Sequence, residues 1–404
     1  MTHVTQNTHC LACGSDNIQT ALDLGQQPLA NSYKESVDAD EDRYPLAVDL
    51  CHDCFHLQLS HTVDPEIIYK NYLYATGTNQ TIKDYSQWFA EFCLEFTYTA
   101  ANVLDIGCND GTQLNYFKQL GTDTYGIDPA ENLYPRSIAN HSVVCDFFGP
   151  NAVPKLNSVK YDIITAQNVF AHNPDPYTFL SCCEQLMGDT TVLFIQTSQA
   201  DMVLNNEFDT IYHEHVNFFN ANSMHELAKR VGLHLIDVVK APIHGNSYIF
   251  ILSRKNYNPR RVQNIIALEA AYGLLDPETY VQWANNVCNN MGKLINKINQ
   301  HREMGYVLVG YGAAAKGNTL LNYGDIQLDF IIDDNPLKQG KFTPGTGCDI
   351  VGIDHLDQYT EQDQLLFVPL AWNFFREIKS KIQTARDNNK DRFLKYFPQV
   401  EVHQ

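Results

Sequence analysis

Apolar and polar positions along this chain switch repeatedly between a period of two and a period near 3.6. Val103-Leu104-Asp105-Ile106 is a short apolar run that stops at Gly107, and a second glycine, Gly111, follows four residues later. Leu114, Phe117 and Leu120, with Lys118 among them, then keep the spacing of a helix face, and Thr124 to Ile127 is a second strand running into Asp128. Val143–Asp146, Tyr161–Ala166 and Val192–Thr197 predict further strands, and Ser223–Val231 a helix. Leu233–Val239 and Ser247–Leu252 could close the sheet as a hairpin. Strand alternating with helix predicts an α/β fold with an open, mostly parallel sheet. Ahead of it, Asn79–Phe96 reads as a helix with Ile82, Tyr85, Trp88, Phe89 and Phe92 near one face. Behind it, Arg260–Arg302 reads as two helices broken around Asp276-Pro277, with Leu268, Leu274, Trp283, Val287, Met291, Leu294 and Ile298 spaced for burial. A second α/β unit follows: Tyr306–Val309, a glycine turn at Gly310 and Gly312, a helix, Phe330–Ile332 and Leu365–Val368.

Composition narrows the class. A chain of 404 residues is long for one core, so two or three domains are expected. Net charge is −19, from 47 acids against 28 bases, which lacks the basic footprint of a nucleic-acid binder and argues against a membrane-surface role. No apolar run has the length of a membrane span, and residues 1–6 lack the basic and apolar regions of a signal peptide. Eleven cysteines then read as reduced thiols in a cytoplasmic protein. Cys10-Leu11-Ala12-Cys13 and Cys51-His52-Asp53-Cys54 are two C-x-x-C knuckles, the spacing of a tetrahedral zinc site. Four thiolates leave no open position for water, so the expected role of the zinc is structural. Between the knuckles, Leu24–Tyr33 reads as a turn-rich connection.

The chemistry begins at the glycine turn. Strand, tight turn, helix, strand and acid make a nucleoside site, because glycines admit a ligand close to the backbone and an acid at the second strand's tip can bind a ribose. The G-x-x-x-G spacing is not that of a dinucleotide fingerprint and suits S-adenosylmethionine. Beyond the carboxyl ends of the later strands, Asp146, Asn168 and His172 are further site candidates. The stretch richest in acid–base groups is Glu207–Phe219, containing Tyr212-His213-Glu214-His215. If it is extended, His213 and His215 share one face, and Tyr212 and Glu214 the other. In the C-terminal unit, Lys316 at a helix start and the Lys338–Lys341 loop suit a phosphorylated ligand.

Taken together these features resemble the sugar C-methyltransferases that act on nucleotide-linked keto-deoxysugars. The likeness rests on D-I-G-C-N-D-G at Asp105–Gly111, E-F-D-T-I-Y-H-E-H at Glu207–His215, G-A-A-A-K-G-N-T-L-L-N at Gly312–Asn322, K-Q-G-K-F-T-P-G at Lys338–Gly345 and A-W-N at Ala371–Asn373. It implies a small N-terminal zinc-binding module over residues 1–75, a class I methyltransferase (Rossmann-like) domain over 76–256 and a C-terminal Rossmann-like domain over 257–404. The implied metal ligands are Cys10, Cys13, Cys51 and Cys54. S-adenosylmethionine would be held by Asp105, Gly107, Asn109, Gly111, Asp128, Pro129, Asp146, Gln167 and Asn168. The nucleotide sugar would meet Lys316, Asn318, Asp334, Lys341 and Asn373. His215 corresponds to the family's base, with Tyr212, Glu214, Tyr74 and His172 around it. The implied reaction is methylation of C3 beside a C4 ketone through an enolate, in a monomer or small homo-oligomer with no nucleic-acid or membrane partner.

The sequence departs from the family where Asn246 and Ile249 replace a glycine and an arginine after His244-Gly245, and where no histidine or proline follows Pro344-Gly345-Thr346 as the family has it. Two competing readings are an NAD-dependent oxidoreductase, using Gly310, Gly312 and Asp334, and a non-catalytic nucleotide-sugar binder. The C-terminal unit looks too short for the six strands that the first of these needs.

Overall fold

A computed structural model describes residues 3–69, 80–97, 101–197, 201–243 and 245–404. Five strands come first: β1 (Val4–Gln6), β2 (Ile18–Pro28), β3 (Arg43–Cys51), β4 (Leu57–Leu59) and β5 (His61–Val63). Eight follow: β6 (Asn102–Ile106), β7 (Asp123–Asp128), β8 (Ser142–Cys145), β9 (Tyr161–Gln167), β10 (Met187–Thr197), β11 (Asn217–Phe218), β12 (His234–Ala241) and β13 (Ser247–Ser253).

All of these but β11 among the eight form a seven-stranded sheet in the order β12-β13-β10-β9-β6-β7-β8. β6 to β10 run parallel to their neighbours, and the β12–β13 hairpin closes one side antiparallel. Both faces are covered, which is why its central strands read as continuous apolar runs. Leu104, Ile106 and Ile164 enter one core, and Val103 and Ile163 enter another beneath the helix Gln80–Glu95. The strand order reverses between β6 and β9, so a crevice opens there at the carboxyl ends.

β11 leaves this sheet and joins another. It pairs with β4 in a four-stranded sheet of order β11-β4-β3-β2 that carries the cysteine knuckles. The segment expected as a turn-rich connection differs: Leu24–Pro28 is the end of β2, paired with β3. Bulges in that pairing absorb Gly25 within the strand.

The long helical stretch breaks as expected, into Pro259–Ala271 and Pro277–Glu303, with Asp276 accepting the Glu278 amide at the second start. The last six strands are β14 (Val307–Tyr311), β15 (Phe330–Ile332), β16 (Ile350–Val351), β17 (Leu365–Pro369), β18 (Arg392–Lys395) and β19 (Glu401–His403). They form one sheet in the order β16-β15-β14-β17-β18-β19, with only β19 antiparallel. The C-terminal unit therefore does hold six strands, contrary to the expectation from its length. Its strands are only two to five residues each, so six fit where longer ones would not. Leu22, Leu46 and Val48 of the N-terminal sheet share a core with Leu308 and Val368 of this one and with Leu320 of the helix Ala315–Tyr323.

Candidate active site

The crevice at the β6–β9 reversal is a cleft of about 1330 Å³. Gly107 turns the chain at its floor with φ of 77°, and a Cβ there would lie 2.5 Å from Val169 Cγ2. Glycine is required at this position both by the backbone angle and by the space. Asn109 also has positive φ, 52°, and its amide donates to Asp128 Oδ2 at 2.9 Å while the Ala130 amide donates to Oδ1 at 2.8 Å. These two bonds lock the acid at the tip of β7 against the glycine turn. Burial raises the Asp128 carboxyl above its ordinary range, and the two amides partly offset that.

Asp105 is fully buried, accepts the Thr165 hydroxyl at 2.6 Å and has its carboxyl pushed up to about 7 by burial. Asp105, Gly107, Asn109, Asp128, Pro129, Gln167, Asn168 and His172 all line the cleft. Asn168 sits at φ 52° with a buried Oδ1 that has no bonding partner among the described residues.

Two of the expected cofactor residues lie elsewhere. Gly111 starts the helix Thr112–Gln119 with φ of 82°, and its Cα side faces His141, where a Cβ would come to 3.0 Å. Its need for glycine is met by helix packing. Asp146 turns outward to an ion pair with Lys155 at 2.6 Å, which holds its carboxyl below the usual range. The next two residues, Phe147 and Phe148, line the cleft in its place. Sequence reasoning passed over them because an acid after a strand looks more chemical than an aromatic pair. It also passed over Tyr85 and Gln196, both cleft-lining and bonded to each other at 3.0 Å. The aromatic spacing of the Tyr85 helix had read only as a packing face.

The Tyr212–His215 segment is a turn, not an extended strand: the His215 amide donates to the Tyr212 carbonyl at 2.8 Å. A turn brings residues three apart to one side, so the shared face that an extended segment would give His213 and His215 does not arise. Tyr212 and His215 stack instead, with ring centroids 4.1 Å apart, and the Tyr212 hydroxyl lies 2.8 Å from His215 Nε2. His215 Nδ1 faces the Thr210 carbonyl at 2.8 Å, which can only accept. In the neutral ring Nδ1 therefore carries the proton and Nε2 accepts from Tyr212. His172 contacts the same ring at 4.9 Å between centroids, and burial lowers its imidazole to about 4. His213 is buried against Tyr44, also lowered to about 4. Glu214 points into the N-terminal module, where Asn31 donates to it at 2.5 Å and burial raises its carboxyl. Tyr74 lies outside the described residues.

The C-terminal candidates are not gathered into one site. Lys316 Nζ stands 5.6 Å over the Trp372 ring, and Trp372 Nε1 donates to the fully buried Asp209 at 2.8 Å. Asn318 is buried and donates to the Ala30 carbonyl at 2.7 Å. Asp334 is exposed and pairs with Lys381 at 2.6 Å, Lys341 pairs with Glu35 at 2.8 Å, and Asn373 is exposed on a short turn. Asp333, one residue earlier, is the acid that meets the second glycine turn, through the Ala313 amide at 2.7 Å. That turn is covered: the Tyr33 hydroxyl and Lys338 Nζ both donate to the Ala313 carbonyl, at 2.5 and 2.6 Å. A dinucleotide laid across these strand ends would have to displace both side chains.

Cys10, Cys13, Cys51 and Cys54 bring their sulfurs within 4.8 Å of one another, with 3.6 Å between Cys10 and Cys54 and between Cys13 and Cys51. Four thiols at tetrahedral-edge separations fit a structural zinc. Among the described residues, no helix is long and apolar enough to cross a membrane.

Family models match nearly the whole chain in three consecutive blocks: a zinc binding domain over residues 10–69, a methyltransferase domain over 79–238 and a C-methyltransferase C-terminal domain over 242–398. The chain combines the three domains in the order zinc binding, methyltransferase and C-methyltransferase C-terminal. C-methyltransferase NovU of Streptomyces niveus is 27% identical over 411 residues, spanning 97% of this chain and 96% of that protein. A ubiquinone biosynthesis O-methyltransferase of Glaesserella parasuis serovar 5 (strain SH0165) is 34% identical over 106 residues, covering 24% of this chain and 44% of that protein. A solved S-adenosylmethionine-dependent methyltransferase from Archaeoglobus fulgidus aligns at 15% identity and a TM-score of 0.35, covering 42% of this chain and 94% of the other. The chain is a methyltransferase with a four-cysteine site in its zinc binding domain.

Proposed function

We propose that this enzyme methylates a carbon acid: C3 of a nucleotide-diphosphate-linked 4-keto-6-deoxysugar, beside its C4 ketone. The observation that carries this reading is the Tyr212–His215 pair, hydrogen-bonded at 2.8 Å and in contact with the cleft residue His172. A sugar C–H next to a ketone is a weaker acid than a hydroxyl, so it yields its proton only to a placed base.

The pair acts as one unit. As the Tyr212 oxygen takes the proton from the sugar carbon, its own proton passes to His215 Nε2, and the imidazolium keeps its Nδ1–H on the Thr210 carbonyl. The electron pair left on the carbon becomes an enolate with the adjacent ketone. S-adenosylmethionine supplies a methyl group on a sulfonium, whose C–S bonding pair stays with sulfur as the new C–C bond forms. Asp105, Gly107, Asn109, Asp128, Pro129, Gln167 and Asn168 hold that cofactor, with Asp128 on the ribose side. Lys316, beside Trp372 at the C-terminal sheet's reversal between β14 and β17, is the cation we assign to the diphosphate. We divide the chain at residues 75/76 and 256/257, and reduced thiols suit a cytoplasmic setting.

Methyl-labelled S-adenosylmethionine with a panel of dTDP-, UDP- and GDP-linked 4-keto-6-deoxysugars tests the proposal. Label on a sugar carbon, with solvent deuterium exchanging at that carbon when the cofactor is left out, is the expected outcome. Label on oxygen or nitrogen overturns it.

A further inference from the structure

Sequence reading gives the cysteine knuckles a structural role. The structure connects them to the base by two short routes. Gln58 lies in β4, is 1% exposed, and spends its whole side chain on the first knuckle: Oε1 accepts the Leu11 amide at 2.7 Å and Nε2 donates to the His9 carbonyl at 2.9 Å. Its backbone is paired with Asn217 of β11. The pairing extends one step toward the base, because the Leu59 amide donates to the Val216 carbonyl at 2.8 Å. Val216 is the neighbour of His215, and its own amide donates to the carbonyl of Ala171, the neighbour of His172, at 2.9 Å.

Asn217 supplies the second route. It is fully buried and stands between the two regions, with Oδ1 3.0 Å from His56 Nε2, just past the second knuckle, and Nδ2 donating to the Asn173 carbonyl at 2.7 Å. Asn173 and His172 both line the cofactor cleft. Gln58 and Asn217 are themselves buried, and the Asn217–His56 bond is buried with them, so breaking these bonds leaves a buried side-chain amide short of a partner.

We infer that Gln58 and Asn217 are positioning residues that carry the order of the four-cysteine site to Tyr212, His215 and His172, so that the metal organises the reactive geometry of the next domain. This rests on Tyr212 and His215 being the base pair, but its consequence can be read without an acceptor. Outer-shell partners that orient a functional group act by narrowing its conformations. The cleft floor at Gly107 and Asp128 belongs to a different sheet and is untouched by these links.

The test uses the full chain labelled with nitrogen-15 at histidine. In the zinc-loaded protein, His215 should give one sharp ring signal of the Nδ1–H tautomer. Gln58→Met keeps the bulk of the side chain and removes both knuckle bonds. It should retain zinc and S-adenosylmethionine affinity while the His215 signal broadens or divides between tautomers, and removing zinc from the unaltered chain with a chelator should do the same. Asn217→Ser leaves the knuckles intact and should reproduce the broadening, so the inference stays open to refutation if Gln58→Met does not fold. An unchanged His215 signal in the chelated chain and in the folded variants overturns it, as does loss of cofactor affinity in step with the broadening. Absence of methyl transfer to sugars would overturn the proposed reaction and leave this result standing.

Discussion

The Tyr212 hydroxyl and the Asp105 carboxyl are each single groups whose surroundings dictate a measurable behaviour. Tyr212→Phe keeps the ring stack on His215 and deletes the proton it shares with Nε2. Turnover should fall roughly 10²–10⁴-fold, the usual share of a placed acid or base, with S-adenosylmethionine affinity unchanged by calorimetry. Asp105 has a folded pKa of about 7 because burial penalises its charge. The cofactor is cationic and binds best to the ionised carboxylate, so affinity should rise with pH and level off above about 7. Below that, binding must release a proton, at a slope near one decade per pH unit. Asp105→Asn should weaken binding and flatten the profile; a pH-independent affinity in the unaltered protein would contradict this assignment. Both residues were singled out as candidates in the sequence. What was not legible is that Tyr212 pairs with His215, because an extended segment and a turn place residues three apart on different sides.

At the scale of elements, the β6 turn and the Tyr212 turn contrast. Gly107 combines a φ of 77° with a Val169 methyl 2.5 Å from any Cβ. Gly107→Ala should therefore cost about 1–3 kcal/mol of backbone strain alone, with more from the clash. Thermal melting should show the loss, and the bound cofactor should fail to restore it fully. The glycine turn was readable because its hydrogen bonds and its strand–helix context are local. Asp146 was misread for the opposite reason. Its partner, Lys155, is nine residues away on the far side of a loop, and nothing local says which way a strand-end acid turns. Strand lengths were also unreadable in the C-terminal unit, where six short strands hide in what looked like room for fewer.

Across the whole molecule, the three larger sheets are tied by contacts between residues far apart in the chain. Asp209 is fully buried, with Trp372 Nε1 as a donor from the short turn after β17 and a raised carboxyl that Lys316 partly offsets. Trp372→Phe leaves that carboxylate short of a partner and should cost about 1–3 kcal/mol, read as a lower unfolding midpoint. Asp209→Asn in the same background should recover part of it. Chelation should remove about one zinc per chain, as four thiolates require, and loosen the β4–β11 pairing; a chain that holds no zinc when purified in its presence would refute the metal site.

The sequence by itself determined the periodic strands and helices, the two glycine turns, the knuckle spacing and the residue types gathered in Glu207–His215, because each is written within a few residues. Only the tertiary structure decided what those residues face. It sent β11 into the zinc-bearing sheet, turned Glu214 to Asn31 and Asp146 to Lys155, and covered the second glycine turn with Tyr33 and Lys338. The reason is physical: period and turn chemistry are short-range, whereas the partner of a buried polar group is chosen by which distant surfaces the packing brings together.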